Sequence, residues 1–453
     1  MYDLIVKNGL VVLASETAQL DVAIRGGKFA ALGSDLQDGA AQVIDAAGRY
    51  VLPGVVDIHA HFNDPGLPHR EDFLTGTSAA AAGGTTTVFD MPLSGNPTVT
   101  SVETLELKKR AAAEKAVVDY ALWSGLVNDN TDELPEIGRE GAIAFKAFTC
   151  FAGDDFPYAT NHILYKGMMQ AFAADAIVGV HCEDENLVAA FEAEARKKGD
   201  RSIRAFLDCH APITEVVATR TVLELAKETG ARVHICHASL PEVVDAVGDA
   251  RKSGARVTVE TCPHYLVFTE EDLEKQKGFL KCTPPVRTEM DREMLWGLLL
   301  DGEIDAVGSD HSPSTIAEKT PDDGDFWRAW GGTNGVQTLL AVMHSEGVVK
   351  RGLPLEAMMR MLATNPAMIF GIHPRKGEIR VGGDADFSIF DPAETWTVTQ
   401  ESLFYKNKHT PYMDMKLSGR VKQTYVRGAL VFADGNVVGK PGAGRLITRE
   451  VLK

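Results

Sequence analysis

The chain has 453 residues, 45% of them hydrophobic, and a formal net charge of −17. This length permits a large buried core, whereas an acidic chain without a basic stripe argues against nucleic-acid binding. No run of about 18 apolar residues suggests a membrane span. The N-terminal "MYDLIVKNGL" lacks the features of a signal peptide, and the six cysteines are scattered without a C-x-x-C pair. We therefore expect a cytoplasmic protein with reduced thiols.

The first 54 residues contain short alternating runs separated by Gly and Asp, such as "DLIVKNGLVV" and "DVAIRGGKFAAL". The same pattern of short alternating runs recurs near the end of the chain, in "GGDADFSIFDP" and "VKQTYVRGALVFADG". Alternation with period two and tight turns indicates antiparallel β structure. We predict that residues 1–54 and 374–453 together build one small β-sandwich domain.

Between them, in residues 55–373, apolar β-rich runs alternate with helical segments. The helical segments have apolar residues at i, i+3 and i+4 and often end in Gly. Eight strands, each followed by helical or loop sequence, predict an α/β fold of the (β/α)8 TIM-like barrel type. An open doubly wound sheet is the rival, but no G-x-G-x-x-G follows the first strand. The eight runs are "VVDIHAH", "TTTVFDM", "VVDYALWSGL", "AIAFKAF", "AIVGVHC", "ARVHICH", "RVTVETC" and "IDAVGSD".

Several of these strands end in a side chain that can bind metal. A single His at a strand end can equally be a hydrogen-bonded core residue, and His-x-His pairs also arise by chance. Barrel enzymes, however, collect their chemistry at the C-terminal ends of the strands. The joint pattern is therefore more informative than any one residue. Its members are His59, His61, His181, His234, His237, Asp310 and His311.

Lys146 lies within the apolar run "AIAFKAF". Lysine is almost never buried without a partner, because burial of its charge costs several kcal/mol. Its amine must reach solvent, meet a carboxylate or lose its charge. A neutral lysine can react with carbon dioxide to form a carbamate, which is an anionic ligand able to bridge two metals. Four imidazoles, a carboxylate and this carbamate would suit two divalent ions, Zn²⁺ most readily, although Co²⁺ and Mn²⁺ accept the same ligands.

The chain resembles the amidohydrolase superfamily, and closely its cyclic amidase branch of allantoinases, hydantoinases or dihydropyrimidinases, and dihydroorotases. The resemblance covers essentially the whole chain. Its motifs are specific in combination: "PGVVDIHAHFNDPG", "EDFLTGTSAAAAGGTTTVFDMP", "FKAF", "VHCED", "CHAS", "ETCPHYL", "KCTPPVR", "SDHSP" and "ATNPAMIFG".

The resemblance implies a role for each candidate ligand. His59 and His61 would bind the more buried ion, and His181 and His237 the other. Lys146, as N6-carboxylysine, would bridge the two ions. Asp310 would complete the shell of the first ion and act as the catalytic proton shuttle, first as base and then as acid.

The remaining histidines divide into three groups. Residues three apart on a strand face opposite sides, and the family pattern matches His237, so His234 is expected to pack against helices or a neighbour. His264 and His311 are expected beside the ligands or in the pocket. The others are expected to be structural or exposed: His69, His162, His210, His344, His373 and His409.

Differences from the family patterns bear on the substrate. Dihydroorotases bind a carboxylate partly through an Arg and an Asn, where this chain has Asn63 and Leu93. Hydantoinases usually place a Tyr where this chain has Phe151. By contrast, "MPLSGNP", "KCTPPVR" and "AWGG" resemble the allantoinases, which open a neutral cyclic ureide.

The resemblance therefore favours allantoin as substrate, with hydantoinase or dihydropyrimidinase activity as the alternative and dihydroorotase activity after it. Thr283 and Gly331 are expected to offer backbone contacts to the substrate, and Asn63 a side-chain contact. A non-enzymatic scaffold is disfavoured, because all six ligand positions are filled. Relatives of this type imply a homotetramer.

Overall fold

The computed structural model describes residues 1–37 and 39–449. The chain begins with five strands that precede the barrel. Their hydrophobic residues face a small core that contains Val22, Ile24 and Phe29. The strands are β1 (Tyr2–Val12), β2 (Thr17–Arg25), β3 (Lys28–Gly33), β4 (Ala40–Asp45) and β5 (Tyr50–Pro53).

Eight parallel strands then form the barrel, each paired with the next in chain order. The first and last strands approach each other, because the His61 N–H donates to the His311 carbonyl at 2.7 Å and Ala60 bridges to His311. The predicted (β/α)8 barrel is confirmed, and all eight predicted runs contain a strand. The strands are β6 (Val55–Ala60), β7 (Thr85–Asp90), β8 (Asp119–Gly125), β9 (Ala142–Phe148), β10 (Ile177–His181), β11 (Arg232–Ile235), β12 (Val257–Thr261) and β13 (Ala306–Val307).

Helices follow the barrel strands, and local sequence explains where several of them begin and end. Asp72 caps the first helix by accepting from the Thr75 N–H, and Gly199 and Gly230 end two others in the left-handed conformation. The helices are α1 (Phe73–Ala82), α2 (Val102–Lys115), α3 (Leu134–Arg139), α4 (Asn161–Ala173), α5 (Glu185–Lys198), α6 (Ile203–Cys209), α7 (Pro212–Thr229), α8 (Pro241–Lys252), α9 (Pro263–Val267), α10 (Glu270–Gln276), α11 (Glu289–Leu300), α12 (Ile316–Lys319), α13 (Leu339–Val342), α14 (Leu355–Met359) and α15 (Asn365–Ile369).

Short irregular helices complete the set. Three are 3₁₀ helices, at Lys277–Leu280, Phe326–Arg328 and Gln400–Ser402, and two are π-helical, at Met343–Val349 and Arg360–Thr364. Within the described residues, no helix is long and apolar enough to cross a membrane.

The C-terminal strands return to the N-terminal ones and complete a nine-stranded mixed sheet. Strand β14 (Phe387–Thr397) pairs antiparallel with β5, which joins the two ends of the chain. The order is β17-β16-β15-β14-β5-β1-β2-β3, with β4 paired to β1; the remaining strands are β15 (Lys416–Val426), β16 (Ala429–Ala433) and β17 (Asn436–Val437). A small β domain built from both ends is therefore confirmed, whereas the boundaries at 54/55 and 373/374 stay a prediction.

An apolar cluster fills the barrel below the candidate site. It includes Ile58, Phe89, Trp123 and Phe370, all fully buried, together with Ile447 from the C-terminal segment. The indole N–H of Trp123 donates to the Ile58 carbonyl at 3.2 Å, so the one polar atom of this ring has a partner. Because these apolar side chains fill much of the interior, the candidate ligands are expected at the C-terminal ends of the strands, where barrel enzymes carry their active sites.

Candidate metal centre

The first group of site residues lies where β6 and β13 end. His59 Nε2 and His61 Nε2 each lie 3.3 Å from the same oxygen, Asp310 Oδ1. All three side chains are buried, and their possible ligand atoms lie within 4.8 Å of one another. Burial raises the pKa of Asp310, but the charges of His59 and His237 and the hydrogen bond with His61 outweigh it, so the pKa lies well below its usual range. This group offers two imidazole nitrogens and an ionised carboxylate.

A second group lies beside it, at the ends of β10 and β11. His181 Nδ1 lies 3.2 Å from His237 Nε2. The other ring nitrogen of His181 donates to Glu183 Oε2 at 2.9 Å, so Nδ1 of the neutral ring carries the lone pair. The rings of His59 and His237 are 5.2 Å apart, which places the two groups side by side. The structure thus brings together five predicted ligands.

Lys146 lies on β9 with its side chain completely buried. Its Nζ has no hydrogen-bond partner among the described residues and lies 5.0 Å from the Phe148 ring centre. Of the three outcomes predicted for this amine, escape to solvent is excluded, and no described carboxylate pairs with it. A buried lysine without a paired carboxylate is rare in proteins and points to a role in the site.

Backbone strain marks two of the same residues. His237 and Asp310 have φ angles of 39° and 44°, in the left-handed region that non-glycine residues rarely occupy. Each such residue costs about 1–3 kcal/mol and is typical of functional sites. The converging, buried and partly unpaired nitrogens, with one carboxylate, form a donor set that fits divalent metal ions.

Glu260, at the end of β12, supports the first group from below. Its Oε1 accepts from His59 Nδ1 at 2.5 Å, and both side chains are 1% exposed. Burial raises the pKa of Glu260, but His59 and His234 lower it to about 2. The bond fixes His59 with Nε2 free to face Asp310, as in other carboxylate–histidine–metal arrangements.

His234 lies in a different place from the one expected. Its Nδ1 bonds to Thr258 Oγ1 at 2.8 Å, and its Nε2 lies 3.7 Å from Glu260 Oε2, inside the barrel near Phe370. The alternation rule fails here because β11 already ends at Ile235, and the chain turns before His237. Both histidines therefore face the interior, at different depths.

Glu183 and His210 form a second support, which the sequence interpretation missed. Glu183 accepts from His181 at 2.9 Å through one oxygen and from His210 Nδ1 at 2.7 Å through the other. Burial raises the pKa of Glu183, but these two imidazoles lower it below its usual range. The strand-end rule that found His181 could have found Glu183 and Glu260. No local signal marks His210, which lies between α6 and α7.

His264 and His311 lie close to the ligands, as predicted. Both ring nitrogens of His264 lack a partner in the described chain, and burial lowers its pKa to about 4. His311 Nδ1 accepts from the Gly335 N–H at 3.2 Å, and its ring stacks on Tyr405. Among the other histidines, His69 and His162 are exposed.

A cavity of about 520 Å³ opens above the two groups. Thr283 and Gly331 line its wall, and Phe151 stands at it with 62% of its surface exposed. Asn63 is not part of the wall: it is buried, and its amide nitrogen donates to the His61 carbonyl at 3.0 Å. The cavity thus includes two of the three predicted substrate contacts, and the contacts themselves stay predictions.

Comparison with known proteins agrees with this geometry. Residues 50–431 match the amidohydrolase family model. The chain is 41% identical to an allantoinase of Deinococcus radiodurans over 451 residues, and 39% identical to one of Salmonella choleraesuis over 454 residues; each match covers 99% of both chains. An L-hydantoinase (dihydropyrimidinase) from Arthrobacter aurescens superposes with a TM-score of 0.97 at 33% identity, covering 99% of this chain and 100% of the other. The protein therefore belongs to the amidohydrolase family.

Proposed function

We propose that the protein hydrolyses the hydantoin ring of allantoin to allantoate, as a step of allantoin degradation. Allantoinases at about 40% identity over the full length support this substrate class. The observation that carries the proposal is the site itself, a cavity whose floor consists of His59, His61, His181, His237 and Asp310.

The charges of the cavity wall favour a neutral substrate. Apart from imidazoles, Lys281 is the one basic side chain on the described wall, and its ammonium already donates to three backbone carbonyls. Glu183, Glu185 and Asp310 also line the cavity. A substrate carboxylate would find no basic side chain free to pair with it on the described wall, which disfavours dihydroorotate.

The alternative substrate class is hydantoins or dihydropyrimidines. The TM-score of 0.97 with an L-hydantoinase favours it, because the barrel and the strand ends are shared. The hydroxyl that hydantoinases usually provide is absent at Phe151, whose ring cannot donate a hydrogen bond. This difference places allantoin first.

We propose two divalent ions at the site, Zn²⁺ first and Co²⁺ or Mn²⁺ as alternatives. His59, His61 and Asp310 would hold one, and His181 and His237 the other. Lys146, carboxylated by carbon dioxide, would bridge them; its buried amine without a partner supports this assignment. When bound, such ions supply a water that is nucleophilic near neutral pH and a Lewis acid for the carbonyl.

The protein's own residues then orient the substrate and move the proton. Asp310 would take a proton from the attacking water and deliver it to the ring nitrogen as the C–N bond breaks. An amide nitrogen leaves poorly unless it is protonated, so this delivery determines whether the ring opens. Glu260 and Glu183 hold His59 and His181 in the required tautomers. The product is a ring-opened carboxylate.

The proposed setting is the cytoplasm, where thiols stay reduced; all six cysteines are free and buried, in agreement with this. A homotetramer is proposed from the resemblance alone. Sedimentation analysis would test it.

Ring opening by metal-loaded protein tests the function. Allantoin, hydantoin, dihydrouracil and dihydroorotate are compared, with Lys146→Ala and, as a matched control, Lys166→Ala on the exposed face of α4. We expect allantoate to form fastest, with activity lost only in Lys146→Ala. Preference for hydantoin or dihydrouracil would overturn the substrate assignment, and full activity of Lys146→Ala would overturn the bridging role.

A further inference from the structure

One wall of the cavity is a loop with little regular structure. Residues 326–332, "FWRAWGG", form a single 3₁₀ turn and then an irregular stretch, and we call them the FWRAWGG loop. Trp330, Gly331 and Gly332 line the cavity. A loop that lines a binding site must be held by contacts outside its own backbone.

Lys281 provides one set of these contacts. Its buried ammonium donates to the carbonyls of Phe326 and Trp327 at 3.0 Å each and to that of Ala329 at 2.8 Å. All three ammonium protons are therefore used within the loop, and no described carboxylate pairs with them. The Lys281 carbonyl also accepts from the Gly332 N–H at 2.7 Å, so one residue holds both ends of the loop.

Lys319 provides the other set. Its side chain is 1% exposed, and its ammonium donates to the carbonyls of Trp330, at 2.9 Å, and Gly332. The Trp330 N–H in turn donates to the Glu318 carbonyl at 2.8 Å. The peptide groups on both sides of Gly331 are thereby fixed.

Gly331 itself is left free. Within the described chain, neither its N–H nor its carbonyl has a hydrogen-bond partner, and a Cβ built on it would meet nothing within 4 Å. The residue is exposed at the cavity. Gly331 thus keeps one unbonded donor and one unbonded acceptor at the cavity wall, the two kinds of group that a ureide C=O and N–H would require.

Burying the two lysine ammonium groups in this wall costs free energy. Burial lowers the pKa of Lys281 to about 8 and that of Lys319 to about 7, because neither ammonium has a counter-charge that offsets its loss of water. An apolar side chain of similar length would fill the same space without that cost. It would leave the loop carbonyls unbonded.

We propose that Lys281 and Lys319 are positioning residues, which hold the FWRAWGG loop so that the free peptide groups of Gly331 bind the cyclic ureide. The inference rests on the proposed function for the identity of the substrate. The claim that the two lysines hold the loop does not depend on the proposed function, because the order of the loop can be measured without substrate.

The test compares Lys319→Met and Lys281→Met with Lys408→Met, an exposed lysine that makes no hydrogen bond or ion pair with the loop within the described chain. Hydrogen–deuterium exchange reports the loop, and metal analysis reports the centre. Steady-state kinetics with allantoin separate KM from kcat. Lys319→Gln, which keeps a donor, serves as the conservative variant and as a second variant if Lys319→Met does not fold.

We expect exchange in peptides covering 326–332 to rise in both Met variants and not in Lys408→Met. KM should rise about tenfold while kcat and metal content stay within about twofold, as for loss of uniform binding. Lys319→Gln should recover part of the KM. Unchanged exchange, or a loss of kcat and metal in parallel, would overturn the proposal. If the wild-type protein opens no ring, the proposed function fails, whereas exchange still decides whether the lysines hold the loop.

Discussion

Glu260→Gln is the most direct test of how the barrel holds the candidate metal centre. The substitution keeps the shape of the side chain and one oxygen that can accept from His59 Nδ1, but it removes the charge. Both side chains are 1% exposed, so solvent cannot replace what is lost. The bond changes from a charge-assisted one to a neutral one.

The magnitude follows from that change. A charged hydrogen bond contributes about 1.5–3 kcal/mol and a neutral one about 0.5–1.5 kcal/mol, a difference of roughly 1–1.5 kcal/mol. This difference corresponds to roughly tenfold, at the lower end of the 10- to 100-fold loss in metal affinity that such supporting carboxylates show. We expect the dissociation constant for Zn²⁺ to rise about tenfold.

The assay is metal content after equilibration in chelator-buffered Zn²⁺, with Glu303→Gln as control because Glu303 is exposed and distant from the site. Activity at saturating metal should recover further than activity at limiting metal. A dissociation constant equal to that of the wild type would refute the reasoning, since it would mean that Glu260 does not orient a ligand. Equal losses in both variants would refute it as well.

Three further predictions concern stability and the cavity wall. Arg287→Met removes the guanidinium that pairs with the buried Glu215 carboxylate at 2.9 Å. The free energy of unfolding, measured by denaturant titration, should fall by about 3–5 kcal/mol. A loss below about 1 kcal/mol would contradict this prediction. Gly332→Ala should distort the cavity wall and reduce activity, because the φ of Gly332 is 143° and a Cβ there would lie 2.4 Å from Ser312 Oγ. Gly331→Ala should fold normally, because a Cβ at Gly331 would meet nothing within 4 Å. Circular dichroism and thermal melts compare the folding of the two variants. The pKa of Lys319 is about 7 in the folded protein, below its ordinary value of 10.5. Between these two pH values the unfolded chain binds more protons than the folded one. The free energy of unfolding should therefore rise with pH over this range, by up to about 1.4 kcal/mol per pH unit. Lys319→Met should remove that slope, and an unchanged slope in pH-dependent melts would count against it.

The local sequence pattern was sufficient to predict the barrel and to bring most of the candidate ligands together. Each barrel strand is a short apolar run bounded by turns, and strand ends in a barrel meet at one face, so His59, His61, His181 and Asp310 could be placed together before any contact was known. The pattern failed for His234, because alternation holds only while the strand continues, and β11 ends two residues before His237.

The sequence by itself determined the fold class, the set of candidate ligands and the burial of Lys146, because these depend on periodicity and on residues near in the chain. Only the tertiary structure decided the partners that come from distant segments. The supporting side chains lie 11 to 201 residues away in sequence from the groups that they bond. They are Glu260 with His59, His210 with Glu183, and Lys281 and Lys319 with the FWRAWGG loop. No local pattern encodes such pairings, because they arise where loops and strand ends meet around a closed barrel.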